Sequence, residues 1–308
     1  MKREILFGIF FVALIIFTIL PLIKADTIIG GNNKNVTIRT YVNITNSKPE
    51  VLALVVYQET NVSLMNVTLS AGSTRIVTCN ATVRDWNGFN DIKGVNATLW
   101  DTTNAQYADP NNNNTHYTNS ACTNSSNGLN FTINYICQFS VYYYANNGTW
   151  NCTAIATDSY NKTGNKTNST LFYPMYALNV TDGIDFGNVA IEDYSANKTA
   201  NITNIGNRQI NITVEGYGVN RGDGLAMNCS LGGNIAVSNE RFSINDVNWT
   251  SMTNLSSTAQ NIPGLSIPKQ TLPGTLVTNT THWQLYADSA NNPGGNCTGY
   301  VIFSAEAY

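Results

Sequence analysis

Charge is what this chain has least of: 11% of its 308 residues are Asp, Glu, Lys or Arg, against about 25% in an ordinary soluble protein. The formal net charge is −3, with no Lys/Arg-rich run, so the electrostatic footprint of a nucleic-acid binder is missing and no nucleic-acid partner is expected. Histidine is scarcer still. His116 sits in an Asn-rich stretch without a nearby partner, and His282 lies on the strand face opposite Trp283 and Leu285. No His–Cys or His–carboxylate spacing suits zinc. Helical periodicity is nearly absent after the amino terminus. Yet 43% of residues are apolar, which separates this composition from the apolar-poor, charge-rich one of a disordered chain. The length suffices for about two domains, each burying a core of its own.

Asparagine fills the space that charge leaves, with 46 Asn beside 36 Thr. Random placement of that many Asn, Ser and Thr yields roughly eight N-x-S/T triplets, the acceptor for N-glycans in an exported protein. The chain has 23 with x other than Pro, so an AT-rich codon bias alone is a poor account. Candidate glycan carriers are Asn35, Asn43, Asn80, Asn96, Asn151, Asn197, Asn201, Asn211 and Asn296.

Export is read from residues 1–25: Lys2 and Arg3 precede an uncharged apolar run, residues 5–23, followed by Lys24-Ala25-Asp26. This is either a signal peptide cleaved after Ala25 or a retained anchor, the run being just long enough to span a bilayer. Both place the remainder outside the cell, at the surface or free of it. If the leader is retained, residues 5–23 are the only contact expected with a membrane.

Alternation of apolar and polar residues dominates the rest. In residues 73–84, Val77, Cys79, Ala81 and Val83 share one face, and Thr78, Asn80 and Thr82 the other. In residues 148–157, Trp150, Cys152, Ala154 and Ala156 oppose Asn151 and Thr153. Period two puts each Cys inward and its neighbouring sequon Asn outward. Asn87-Gly88, Asn127-Gly128 and Asn147-Gly148 mark tight turns. Short strands punctuated in this way predict antiparallel sandwiches. Residues 26–48 read as a further strand or linker, with Val36, Ile38, Thr40, Val42 and Ile44 alternating against Thr37, Arg39, Tyr41, Asn43 and Thr45. It either folds back on its own sheet or completes the sheet of a neighbouring subunit, a form of self-assembly.

Six cysteines in an exported chain read as disulfides, with fifteen connectivities open. Opposed inward faces favour Cys79–Cys152 across two sheets, Cys122–Cys137 closes a local loop, and Cys229–Cys297 remains. That pairing leaves no thiol for catalysis. Gly148-Thr149-Trp150-Asn151-Cys152 resembles the end of an immunoglobulin-like sandwich, where an aromatic residue precedes the second Cys by two. No Trp lies where strand C carries it in antibody domains: Trp86 is too near Cys79 and Trp100 too far. From Tyr176 the pattern restarts. Phe186-Gly187-Asn188-Val189 and then Asn204-Ile205-Gly206-Asn207 are similar to the first strands of Hydin-type immunoglobulin-like domains. Tandem domains of this kind, rich in sequons, resemble archaeal surface proteins, which implies display at the surface and carries over no catalytic residue. The expectation is therefore all-β: two immunoglobulin-like antiparallel sandwiches in tandem, residues 49–175 and 176–308, after an N-terminal signal or anchor helix.

The function expected is a structural or adhesive surface component without catalytic activity, its partners cell-surface proteins or glycans. The alternative is a glycan- or protein-binding module that uses the 102–127 loop, whose lack of Lys and Arg leaves amides, hydroxyls and Tyr142, Tyr143 and Tyr144 for contact. A hydrolase would need paired carboxylates, for which Asp101 with Asp109 and Asp182 with Asp185 are weak candidates. Arg221-Gly222-Asp223 reads as a chance turn. One cofactor reading arises: Asp85, Asn87, Asn90 and Asp91 place oxygens around Gly88 as calcium prefers, although the terminal Glu of a known calcium loop is lacking. The competing reading is an ordinary inter-strand turn.

Overall fold

The computed structural model describes residues 37–59, 66–124 and 128–308. The leader of residues 1–25 and Asn35 lie outside them. Among the described residues no helix is long and apolar enough to cross a membrane. Two units are distinguished, residues 1–45 and 46–308.

In the first unit, residues 37–45 carry no strand; residues 26–36 of the expected 26–48 strand lie outside the described residues. Ile38, Tyr41, Val42 and Ile44 are all exposed, so both faces of the alternating pattern meet solvent. Period two records that a segment fits a sheet; without a partner strand it has no ladder to join.

The second unit holds two hydrophobic cores. Around the first stand β1 (Glu50–Gln58), β2 (Thr74–Arg84), β3 (Ile92–Asp101), β4 (His116–Asn119), β5 (Thr123–Asn124), β6 (Thr132–Tyr142), β7 (Gly148–Asp158) and β8 (Thr163–Phe172). They form two antiparallel sheets, β1-β2-β6-β5 and β4-β3-β7-β8. With strands lettered in chain order these are A-B-E-D and C′-C-F-G, the immunoglobulin arrangement. Val77, Cys79, Ala81 and Val83 of β2 face Trp150, Cys152, Ala154 and Ala156 of β7 across the core, each fully buried. Cys79 of the B strand is bonded to Cys152 of the F strand, Cα–Cα 6.6 Å. Trp150 takes the place of the corner tyrosine: its Nε1–H donates to Asn146 O at 2.8 Å and its ring stacks on Phe172 at 4.6 Å. That hydrogen bond back to the preceding turn does the work of a tyrosine hydroxyl.

The second core is enclosed by β9 (Leu178–Val180), β10 (Lys198–Asn204), β11 (Ile210–Tyr217), β12 (Leu225–Cys229), β13 (Asn234–Ala236), β14 (Glu240–Ser243), β15 (Thr253–Asn254), β16 (Gln260–Ile267), β17 (Val277–Leu285), β18 (Cys297–Thr298) and β19 (Tyr300–Ala307). Their sheets run β15-β14-β17-β10-β9, β16-β11-β19 and β13-β12-β18. Trp283 is its largest fully buried side chain, its Nε1–H donating to Thr281 Oγ1 at 2.8 Å. In the first sandwich the F strand β7 is covered along its outer edge by β8 over ten residue pairs. In the second, β19 pairs with β11 alone among the described residues. Its apolar side chains Val301, Phe303 and Ala305 reach only half-burial.

The Asn204-Ile205-Gly206-Asn207 turn joins the two sandwiches. Asn207 Oδ1 accepts from Met175 N at 2.6 Å and its Nδ2 donates to Tyr173 O at 3.0 Å. A Cβ on Gly206 would lie 2.3 Å from Met175 O, so only glycine lets the linker pass so close.

Candidate cation site

At the end of the first sandwich, three carboxylates converge. Asp85 follows β2 directly, Asp91 closes the short turn that leads into β3, and Asp158 ends β7. Each offers an oxygen within 4.8 Å of the others. Asp85 and Asp158 are fully buried. The backbone holds each in place: Asp85 N donates to Phe131 O at 2.8 Å, Ser159 N to Asp91 O at 2.8 Å, and Asp158 N to Lys162 O at 3.0 Å.

Their oxygens divide into two groups. Asp85 Oδ1 accepts from Asn87 N at 2.8 Å. Asp158 Oδ1 accepts from Tyr160 N and Lys162 N at 2.9 and 2.7 Å, and its Oδ2 from Asn46 Nδ2 at 2.7 Å. By contrast Asp85 Oδ2, Asp91 Oδ2 and Asn46 Oδ1 are buried and meet no donor. The ion pairs of the described residues, Arg75–Glu59, Arg84–Glu50 and Arg221–Glu215, lie elsewhere. Burial raises the Asp85 carboxyl above its usual range, against the pull of the Asn87 N–H, and the charges of Asp91 and Asp158 add to the rise. Repulsion at such distances is on the order of 3 kcal/mol per pair at an effective dielectric of about 20.

The sequence pattern therefore found half of this cluster. Asp85 and Asp91 are in it. Asn87 turns its Oδ1 to Ser47 N at 2.8 Å, and Asn90 is exposed. Asp158 and Asn46 were not foreseen, since they come from distant segments and join only when β7 and the lead-in to β1 reach the same end of the sandwich.

The other candidates fall out as follows. The structure bonds Cys79 to Cys152, Cys122 to Cys137 and Cys229 to Cys297, the pairs favoured from the faces and spacing. Asn43, Asn201 and Asn296 are exposed; Asn80, Asn96, Asn151, Asn197 and Asn211 are half-buried. The 102–127 segment is not a plain loop, since it contains β4 and β5; residues 125–127 lie outside the description. His116 is buried with partners, Asn111 Oδ1 at 3.2 Å and Tyr107 O at 3.1 Å. Tyr143 and Tyr144 are buried too, so they offer no open surface to a ligand; Tyr143 Oη donates to Gln270 Oε1 of the second sandwich. Asp101 spends its carboxylate on Thr103 N, Asn104 Nδ2 and Asn146 Nδ2, and Asp109 on Gln106 N. Asp223 of the Arg-Gly-Asp turn accepts from the backbone of Gly218, Val219, Asn220 and Leu225, which pulls its carboxyl down to about 2.

The strand order defines an all-β protein of immunoglobulin-like sandwich architecture. No family model matches the chain, and no curated protein does. Among solved structures it is similar to the CsuC–CsuE chaperone–tip adhesion subunit pre-assembly complex of archaic chaperone-usher Csu pili from Acinetobacter baumannii, with 9% identity and a TM-score of 0.37 over 78% of this chain and 96% of that one. It is similar to a carbohydrate-binding module of the β-sandwich superfamily at 10% identity and TM-score 0.24, over 84% and 97% of the two chains. The C-terminal domain of the Streptococcus agalactiae AgI/II polypeptide BspA matches at 10% identity and TM-score 0.19, over 85% and 96%. At that level of likeness the fold assignment stands on the chain's own strand order.

Proposed function

We propose that the chain is an exported, N-glycosylated structural or adhesive component of a cell surface, without catalytic activity. The observation that carries this reading is how asparagine is sorted. Every described sequon asparagine stands outside the core, while Asn204 and Asn207, 0% and 1% exposed, begin no N-x-S/T triplet. Three disulfides agree with an oxidising compartment outside the cell. Kinship with Hydin-type domains and an archaeal source belong to the same reading, supported by the Asn204–Asn207 turn and the sequon density. The mechanism is passive: cross-linked sandwiches hold a polar, sugar-bearing face away from the cell. Intact-mass measurement on protein from its native source tests it. A mass above the bare polypeptide that falls on deglycosylation is expected; a mass equal to the bare oxidised chain rejects the glycan coat.

The bare edge of β19 favours a second reading, in which copies join by strand exchange. The donor is residues 37–45 of another copy, whose alternating side chains suit a half-open groove of Val301, Phe303 and Ile184. The lead-in joins the first sandwich at Asn46, beside Asp158 at the end of β7. The second sandwich meets the first near the start of β7, through Tyr144 and Asn146. A strand given by each copy to the next makes a head-to-tail contact, which propagates as a filament where the rotation does not close. Deleting residues 37–45 is expected to turn polymers into folded monomers in size-exclusion chromatography. Polymers that persist after the deletion, or an intact chain that stays monomeric, remove this reading.

A further inference from the structure

We infer that Asp85, Asp91 and Asp158, with the side-chain oxygen of Asn46, form a binding site for a hard divalent cation, calcium by its ligand chemistry. Three observations lead there. The three carboxylates lie within 4.8 Å of one another. Asp85 is fully buried, and its Oδ2 meets no donor. Asn46, which is not acidic, reaches the cluster through Asp158 and leaves its own buried Oδ1 without a donor.

Buried acceptors almost always find a donor, because desolvating one without compensation is costly. Here three do not, and two of them belong to carboxylates. A cation removes both penalties in one step, satisfying the bare oxygens and offsetting the repulsion. The donor set is oxygen only, carboxylates and an amide, with neither sulfur nor imidazole among the side chains named. Such a set selects calcium over zinc or copper, and its irregular origin from three strand ends suits calcium better than the strict octahedron of magnesium.

The site also reaches beyond binding. Asn46 and Ser47 are the lead-in to β1, and both are tied here, Ser47 through its N–H to Asn87 Oδ1 at 2.8 Å. A bound ion draws the same residues onto the end of the sandwich. Calcium thus firms the start of β1 as well as the strand ends that supply the carboxylates.

The experiment uses the intact chain, stripped with EDTA and then titrated with calcium, with thermal unfolding and calorimetric binding as readouts. The expected result is one calcium per chain at this site, a higher unfolding temperature with the ion, a smaller rise with magnesium, and slower hydrogen exchange at Ser47 N–H. Asp91→Asn is the informative variant, because its free oxygen makes no other bond. It should lose at least tenfold in calcium affinity, yet unfold at a higher temperature than the wild type in EDTA, where neutralising one carboxylate relieves repulsion. A purely structural aspartate would give the reverse order in EDTA. No binding and no thermal shift up to 10 mM calcium (a generous ceiling for an extracellular site of about 1 mM affinity) overturns the inference, as does an Asp91→Asn variant that still responds fully.

Discussion

Glu240 begins β14 and is 2% exposed. It lines a cavity of about 330 Å³ together with Phe186, Met227, Val301 and Phe303. Burial alone pushes its carboxyl up to about 8 from an ordinary 4.5. The consequence for stability has a definite sign. In the unfolded chain Glu240 ionises near 4.5, while the folded protein keeps its proton until about 8. Its contribution is therefore intact below 4.5, declines as pH rises through that window, and stays low above it. Unfolding temperatures measured from pH 4 to pH 9 should fall across the window in the wild type and fall much less in Glu240→Gln. Superimposable profiles would assign the slope to another group. A single residue of this kind cannot be recognised from its neighbours in sequence: Glu240 looks like a surface charge next to Arg241.

Among the elements, β7 holds most of what the first sandwich needs. It carries the inter-sheet cysteine, the corner tryptophan and, at its last residue, Asp158. Trp150→Phe keeps a ring to stack on Phe172 but loses the bond to Asn146 O, so a loss of about 1 kcal/mol is expected. Trp150→Ala empties the site and should cost about 3–5 kcal/mol. Urea titration distinguishes the two, and equal losses would mean that the corner bond rather than the ring matters. The faces of β2 and β7 were legible in advance, because each alternates apolar with polar residues and each is half-buried. In residues 37–45 the same alternation is present without a partner strand among the described residues. The rule failed at β4, whose two buried residues, His116 and Tyr117, are neighbours and so lie on opposite faces. There polar atoms are buried by satisfying local carbonyls, Tyr107 O and Asn113 O, so no apolar stripe announces the strand.

For the molecule as a whole, the two sandwiches are joined by more than a linker. Lys269 of the second reaches Tyr144 O at 2.9 Å and Asn114 Oδ1 at 2.5 Å in the first. Burial there lowers its ammonium to about 8, against the opposing pull of Asp101. Tyr143, Asn207 and Gln270, with the Tyr144 carbonyl, complete a junction of polar groups that bond to one another. Such a junction sets the direction of the second sandwich from the first. It also uses up two of the tyrosines that a ligand-binding surface would have needed, which moves the weight of the functional reading from recognition toward structure.

Composition and period-two alternation determined the class of this protein: an all-β chain with paired cysteines and sequon asparagines kept out of the core. These are local properties, since a strand's two faces are written in successive residues. Tertiary structure alone decided which faces meet, which edge stays bare and which acids converge. The Asp85–Asp91–Asp158 cluster depends on β2 and β7 ending at the same place, the junction on side chains more than a hundred residues apart, and the open edge of β19 on what does not pair with it among the described residues. Pairing between distant strands is a property of the folded chain, so no window of sequence contains it.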